Sequence, residues 1–138
     1  MTFKVLWPAV RWPDDRSIEK SSVSDFGEAA FADTFEAVTE AQWQQSDALV
    51  SFMDIPEPYR EKLTTLKIFV TSKVGFDNID IEYWGNRGIP VCNVPDYGTK
   101  DVADHAMALT LALMKGIVFH TRELKQQPQE NWRPMLNP

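Results

Sequence analysis

The chain has 138 residues and a mass of 15.8 kDa, the length of one ordinary domain. At 43% hydrophobic and 25% charged residues its composition is globular, which excludes a wholly disordered chain. A net charge of −6 argues against a nucleic-acid or anionic-membrane surface, because neutralising phosphate needs clustered Lys and Arg.

The N-terminal Met1-Thr-Phe-Lys-Val-Leu-Trp-Pro8 lacks the apolar stretch of a signal peptide. Phe3 to Trp7 reads as a first strand closed by Pro8, and Val10 to Pro13 with Asp14-Asp15 as a loop. Ser17 to Ser24 reads as a short helix and Glu28 to Ala32 as a second strand. Thr39 is a plausible N-cap for helix formers that continue to Gln45. Asp47 to Phe52 is a third strand, stopped by Pro56 and Pro58. Tyr59 to Leu66 follows as a helix with Tyr59, Leu63 and Leu66 on one face. Lys67 to Thr71 is the fourth strand and Ile89 to Val94 the fifth. Between them Ile79, Ile81, Tyr83 and Trp84 belong to a short helix that Gly85 and Gly88 bring to an end. Strands and helices alternating at this pitch imply βαβ units, hence an α/β fold with a flavodoxin-like or Rossmann-like three-layer parallel sheet.

After Pro95 the character changes. Thr99 caps one long helix running to Ile117, apolar on most of its circumference and therefore expected to be buried. Its most apolar run, Ala106 to Met114, is far short of the ~20 residues of a membrane span. Periodicity is lost from Gln126 to Pro138, so the chain is expected to stop early, in a loop. The division expected is a sheet domain over residues 1–96 and a long helix opening a further domain over residues 97–138. The lone Cys92 makes neither an internal disulfide nor a zinc site, and a reducing compartment, the cytoplasm, is expected.

Lys73-Val-Gly75-Phe-Asp-Asn-Ile-Asp80 follows a strand and precedes a helix. Gly75 allows φ > 0 there and exposes successive backbone N–H groups, a geometry that holds carboxylates or phosphates. Taken alone, the octet fits better a turn that merely needs a glycine. The run from Asn93 to His105 lies at the C-terminal end of the fifth strand, the edge where ligands sit in open α/β sheets. Tyr97 offers a hydroxyl there, and the helix start after Gly98 offers backbone N–H groups. His105 reads as a satisfied structural histidine and His120 as a partner of the helix dipole or of solvent.

No G-x-G-x-x-G, G-x-S-x-G or GK[ST] occurs, and no His, Asp and Glu pair at metal-ligand spacing, so no metal is expected. Asp14-Asp15 and Asp54 invite a different reading, a phospho-receiver domain holding Mg²⁺ with Asp54 as phosphoryl acceptor. Thr71 follows Asp54 too soon for that fold, and Lys100 opens a helix instead of ending a strand.

Three stretches, Leu66 to Asp80, Arg87 to Pro95 and Val102 to Leu109, together resemble the N-terminal part of the D-isomer-specific 2-hydroxyacid dehydrogenases. That group includes phosphoglycerate, glycerate and D-lactate dehydrogenases and the C-terminal-binding-protein corepressors, so a corepressor-like binding module is the other outcome the resemblance allows. The resemblance implies an NAD- or NADP-dependent oxidoreductase acting on a small 2-hydroxy or 2-keto acid, for which this chain supplies the substrate domain. It also implies that Lys73, Val74 and Gly75 hold the substrate carboxylate, that Tyr97 lines the substrate pocket, and that Thr99 and Val102 approach the nicotinamide. The family's catalytic Arg, Glu and His are expected beyond Pro138, leaving this chain inactive by itself. The apolar helix, which in the family packs against a cofactor domain, is expected to pair two chains as a homodimer through residues 99–118.

Overall fold

The computed structural model describes residues 2–10 and 13–126. The chain divides into two compact units, Met1–Asp96 and Tyr97–Pro138. In the first, strands β1 (Phe3–Trp7), β2 (Gly27–Phe31), β3 (Ala48–Ser51), β4 (Ile68–Thr71) and β5 (Val91–Cys92) form one sheet in the order β2-β1-β3-β4-β5. Every pairing is parallel. Helices α1 (Ser17–Val23), α2 (Glu40–Gln45), α3 (Glu57–Arg60) and α4 (Ile81–Asn86) occupy the crossovers. This is the flavodoxin-like order.

Alternation along the strands builds the two faces. Ala30, Leu6, Leu49, Phe69 and Val91 are register partners in one row across all five strands. That row meets Trp43 of α2 and Trp84 of α4, both fully buried, with Ile55, Leu63, Ile79 and Ile89 in the main core. The opposite row, Ala29, Val5, Ala48 and Ile68, packs with Val23 of α1. A one-residue slip of any strand would exchange the rows, so burial sets the register.

Several elements differ from the sequence reading. The helix expected over Tyr59 to Leu66 is only α3, opened by Pro58. Past Arg60 the chain tightens into i→i+3 turns, Lys62 N–H to Tyr59 O at 3.2 Å and Leu63 N–H to Arg60 O at 3.3 Å, and Thr65 Oγ1 then donates to the carbonyls of Gln44 and Ser46 at 2.9 and 3.0 Å. Leu63 and Leu66 are buried all the same. The fifth strand is two residues long, not six. Pro90 has no N–H for a ladder, and Ile89 folds into the core with its N–H on Trp84 O at 3.0 Å. Ile79 precedes α4, whose N-cap is Asp80, and Gly85 lies inside the helix, while Gly88 at φ 71° follows it.

In the second unit the single long helix is two. Helix α5 (Thr99–Met114) ends at Lys115-Gly116, and α6 (Ile117–Gln126) leaves at a bend of 55°. Gly116 at φ 59° occupies the left-handed position that closes helices. The N-cap of α5 is Gly98, with Thr99 its first residue. Neither helix buries a residue, contrary to the expected buried helix. Among the described residues no single helix is long and apolar enough to cross a membrane. The loop expected from Gln126 to Pro138 lies, past Gln126, outside the described residues, as do Arg11 and Trp12 of the first loop.

Candidate functional site

Strand β4 ends at Thr71, and the Lys73-Val74-Gly75 turn forms beyond it, at the carboxyl edge of the sheet. Two hydrogen bonds orient its peptide planes. Val94 N–H donates to Lys73 O at 3.1 Å, and Asn93 Nδ2 donates to Val74 O at 2.7 Å. In a trans peptide the C=O of one residue and the N–H of the next point in opposite directions, and no cis bond occurs among the described residues. The N–H groups of Val74 and Gly75 are therefore both directed away from the Asn93-Val94 segment. Neither has a hydrogen-bond partner among the described residues. Two successive unpaired N–H groups on one side of a turn are an anion-binding concavity.

Gly75 does not serve through positive φ, as the sequence suggests, since the glycines with positive φ are Gly88 and Gly116. Packing does not demand a glycine there either: a Cβ would meet only Asp77 Oδ1, at 3.0 Å, the end of an exposed side chain that can move aside. The Lys73 ammonium is engaged by Asn78 Oδ1, and Asn78 Nδ2 reaches Phe52 O at 3.5 Å. Val74 and Phe76 are about half exposed. Phe76, Ile81, Pro90, Cys92 and Asn93 line a groove of about 300 Å³ in the same unit.

A clasp that sequence reasoning did not foresee closes the far end of the turn. Asp54 Oδ2 accepts from Arg60 Nη2 at 2.8 Å and from Asp80 N–H at 2.7 Å. Asp54 Oδ1 accepts from Ile55 N–H at 2.8 Å and from the Trp84 indole at 3.0 Å. Asp80 in turn caps α4 through Tyr83 N–H at 3.0 Å, and the Arg60 guanidinium lies 4.6 Å from the Tyr83 ring centroid. With four donors on its two oxygens, Asp54 acts as a structural junction and not as a phosphoryl acceptor. Asp14 is occupied by Arg16, and Asp15 by the Ser17 N–H, which holds its carboxyl below the usual range. Among the described residues no three His, Cys, Asp or Glu side chains come together as a metal site. The clasp joins residues 26 and 30 apart in sequence, so no local pattern announces it.

The remaining residues singled out by sequence lie in the second unit. Tyr97, 66% exposed, stands in the turn before α5. Thr99 begins the helix, and Val102, 70% exposed, donates its N–H to Gly98 O at 2.9 Å. His105 is exposed and makes no side-chain hydrogen bond among the described residues, so it is not a satisfied structural histidine. His120 packs its ring edge-on to Phe119, centroids 5.4 Å apart.

Known proteins resemble the chain in both sequence and fold. It is 43% identical over 74 residues to the glyoxylate reductase of Pyrococcus furiosus, a match covering 52% of this chain and 22% of that protein. It is 36% identical over 100 residues to the glyoxylate reductase of Thermococcus litoralis, covering 67% of this chain and 30% of that one. The chain thus spans about a quarter of the length of these two relatives. Among solved structures, the NADPH-dependent glyoxylate/hydroxypyruvate reductase of Sinorhizobium meliloti, in complex with NADP and malonate, superposes with a TM-score of 0.68 at 25% identity. That superposition covers 89% of this chain and 39% of the other. The D-lactate dehydrogenase of Aquifex aeolicus, complexed with NAD and lactic acid, shares the fold with a TM-score of 0.69 at 23% identity, over 98% of this chain and 40% of its own. Residues 15–130 match the family model for the catalytic domain of D-isomer specific 2-hydroxyacid dehydrogenases, and the chain belongs to that family.

Proposed function

We propose that this chain is the substrate-binding part of an NAD(P)-dependent oxidoreductase acting on the CH–OH group of a D-2-hydroxy acid. In this reading the Lys73-Val74-Gly75 turn receives the carboxylate of a small 2-hydroxy or 2-keto acid. The observation that carries it is the pair of unpaired N–H groups, Val74 and Gly75, aimed to one side by the bonds on Lys73 O and Val74 O. Hydrogen bonds from such donors to a carboxylate are charge-assisted and about twice as strong as neutral ones. They hold substrate and product alike, so they orient the acid without themselves lowering the barrier. By the family reading, Tyr97 serves the substrate, and Thr99 and Val102 the cofactor.

The residues present do not by themselves fit a dinucleotide. A pyrophosphate turn between strand and helix needs several glycines. Here β4–α4 carries only Gly75 and β5–α5 only Gly98, and the crossovers before α1, α2 and α3 carry none. No step is therefore assigned to a cofactor on this chain, and none of its residues is assigned as catalytic. We place the protein in the reducing cytoplasm, consistent with the exposed free thiol of Cys92. We also infer a homodimer through α5, whose apolar side chains have no cover within the helix pair.

The test is a titration of the ¹⁵N-labelled chain with pyruvate and with malonate, followed by amide resonances. Saturating shifts centred on Val74 and Gly75 are expected, with no oxidation of NADH by the chain in the presence of pyruvate. Shifts that grow without saturation, or that chloride reproduces, would overturn the carboxylate reading. Measurable NADH oxidation would overturn the absence of catalytic residues.

A further inference from the structure

We propose that Asn93 is a positioning residue, whose side-chain amide aims the Gly75 N–H at the substrate carboxylate. The inference rests on the reading of the turn as a carboxylate cradle. The two N–H groups of that cradle are aimed by unlike means. Val74 N–H is set through the Lys73 carbonyl, held at 3.1 Å by the main-chain N–H of Val94. Short of proline at position 94, no substitution removes that donor. Gly75 N–H is set through the Val74 carbonyl, held at 2.7 Å by one side-chain donor, Asn93 Nδ2.

The chemistry at both ends of this bond makes it a control point. Glycine lacks the Cβ that restrains a backbone, so the Val74–Gly75 peptide plane turns at little steric cost. Rotated by half a turn, the plane would present the Val74 carbonyl where the N–H had been, and an oxygen there repels a carboxylate. Only the NH₂ of an amide side chain, not its oxygen, can face a carbonyl, so Asn93 both selects the plane and adds no negative charge near the anion. The side chain is well founded. It follows directly on β5, whose Val91 and Cys92 pair with Phe69 and Val70 of β4, and the next residue, Val94, makes the neighbouring bond to the turn. Asn93 is half-buried and stands outside the buried core clusters, so replacing it leaves the core intact.

The experiment compares the whole chain with Asn93→Ala and Asn93→Asp, following the Val74 and Gly75 amides separately, first without ligand and then with pyruvate. Without ligand, Asn93→Ala is expected to shift and broaden the Gly75 amide while leaving Val74 in place. With pyruvate, Kd is expected to rise about ten- to a hundredfold, the scale of one lost hydrogen bond to a charged group. The saturating response of Gly75 should be lost and that of Val74 retained. Asn93→Asp, of the same shape but without a donor, should bind pyruvate more weakly still. An unchanged Gly75 resonance and unchanged Kd in Asn93→Ala would overturn the proposal. So would equal loss at Val74 and Gly75, which would mean that Asn93 only supports the loop. If the unaltered chain shows no saturable pyruvate response, the cradle reading fails. The ligand-free split between Gly75 and Val74 still decides whether Asn93 aims the peptide.

Discussion

Asp47 joins three strands at the amino edge of the sheet. Its carboxylate accepts from Lys4 N–H at 3.0 Å and from the Lys67 ammonium at 2.7 Å. Its own N–H donates to Lys4 O at 2.9 Å, and its carbonyl accepts from Lys67 N–H at 2.8 Å. The Lys67 ammonium first, and then the Lys4 N–H, hold the carboxyl below the usual carboxylate range. A folded pKa below the unfolded one, about 3.9 for Asp, gives stability that is present above the unfolded value. It is lost as pH falls through the lower folded value. With Lys67 Nζ largely in solvent, Asp47→Asn should cost only about 1 kcal/mol at pH 7. Urea unfolding followed by tryptophan emission should show that difference at pH 7 and its disappearance well below pH 3. A difference independent of pH would assign the effect to packing instead.

At the scale of elements, helix α2 shows local sequence and structure in agreement. Thr39 Oγ1 accepts from Gln42 N–H at 3.3 Å, and Gln42 Oε1 accepts from Thr39 N–H at 2.8 Å, a reciprocal capping box. The helix matters because it delivers Trp43, fully buried and stacked 5.2 Å from Tyr59. Thr39→Ala should therefore destabilise the first unit by about 1 kcal/mol. A smaller urea midpoint with unchanged slope would register this, and no shift would show that Trp43 alone holds the helix. Helix α3 shows the opposite case. Its apolar spacing correctly marks Leu63 and Leu66 as core but misstates how the chain delivers them. The α5–α6 break was visible only as Gly116, and a single glycine in an apolar run does not declare whether the helix continues through it.

For the whole molecule, the exposed face of α5 is the main energetic fact. Val102, Leu109, Leu113 and Met114 are 70%, 54%, 80% and 74% exposed. Four such side chains left in water forgo on the order of 6–12 kcal/mol, and apolar patches of this size mark association surfaces. Sedimentation is expected to give a species of about twice 15.8 kDa, and Leu109→Glu should shift it towards monomer or insolubility. A clean monomer at high micromolar concentration would mean that the face meets its cover in some other way, and would remove the homodimer reading.

The alternation of β-rich runs with helical ones, the Gly75 turn and the membership of the family were legible in the 138 residues alone. Each is written in local order: apolar period, breaker residues, and motifs at fixed gaps. What the tertiary structure decided is the use of those residues. Asp54 became a junction because β3 and α4, distant in sequence, meet at one edge of the sheet. Asn93 came to face Val74 because parallel pairing sets the end of β5 beside the turn after β4. Gly75 was recognised, but not for the positive φ that its residue type suggests, and the one atom near its missing Cβ is the movable Asp77 Oδ1. Non-local hydrogen bonds of this kind depend on sheet order and register, which follow from burying one row of side chains across all five strands at once.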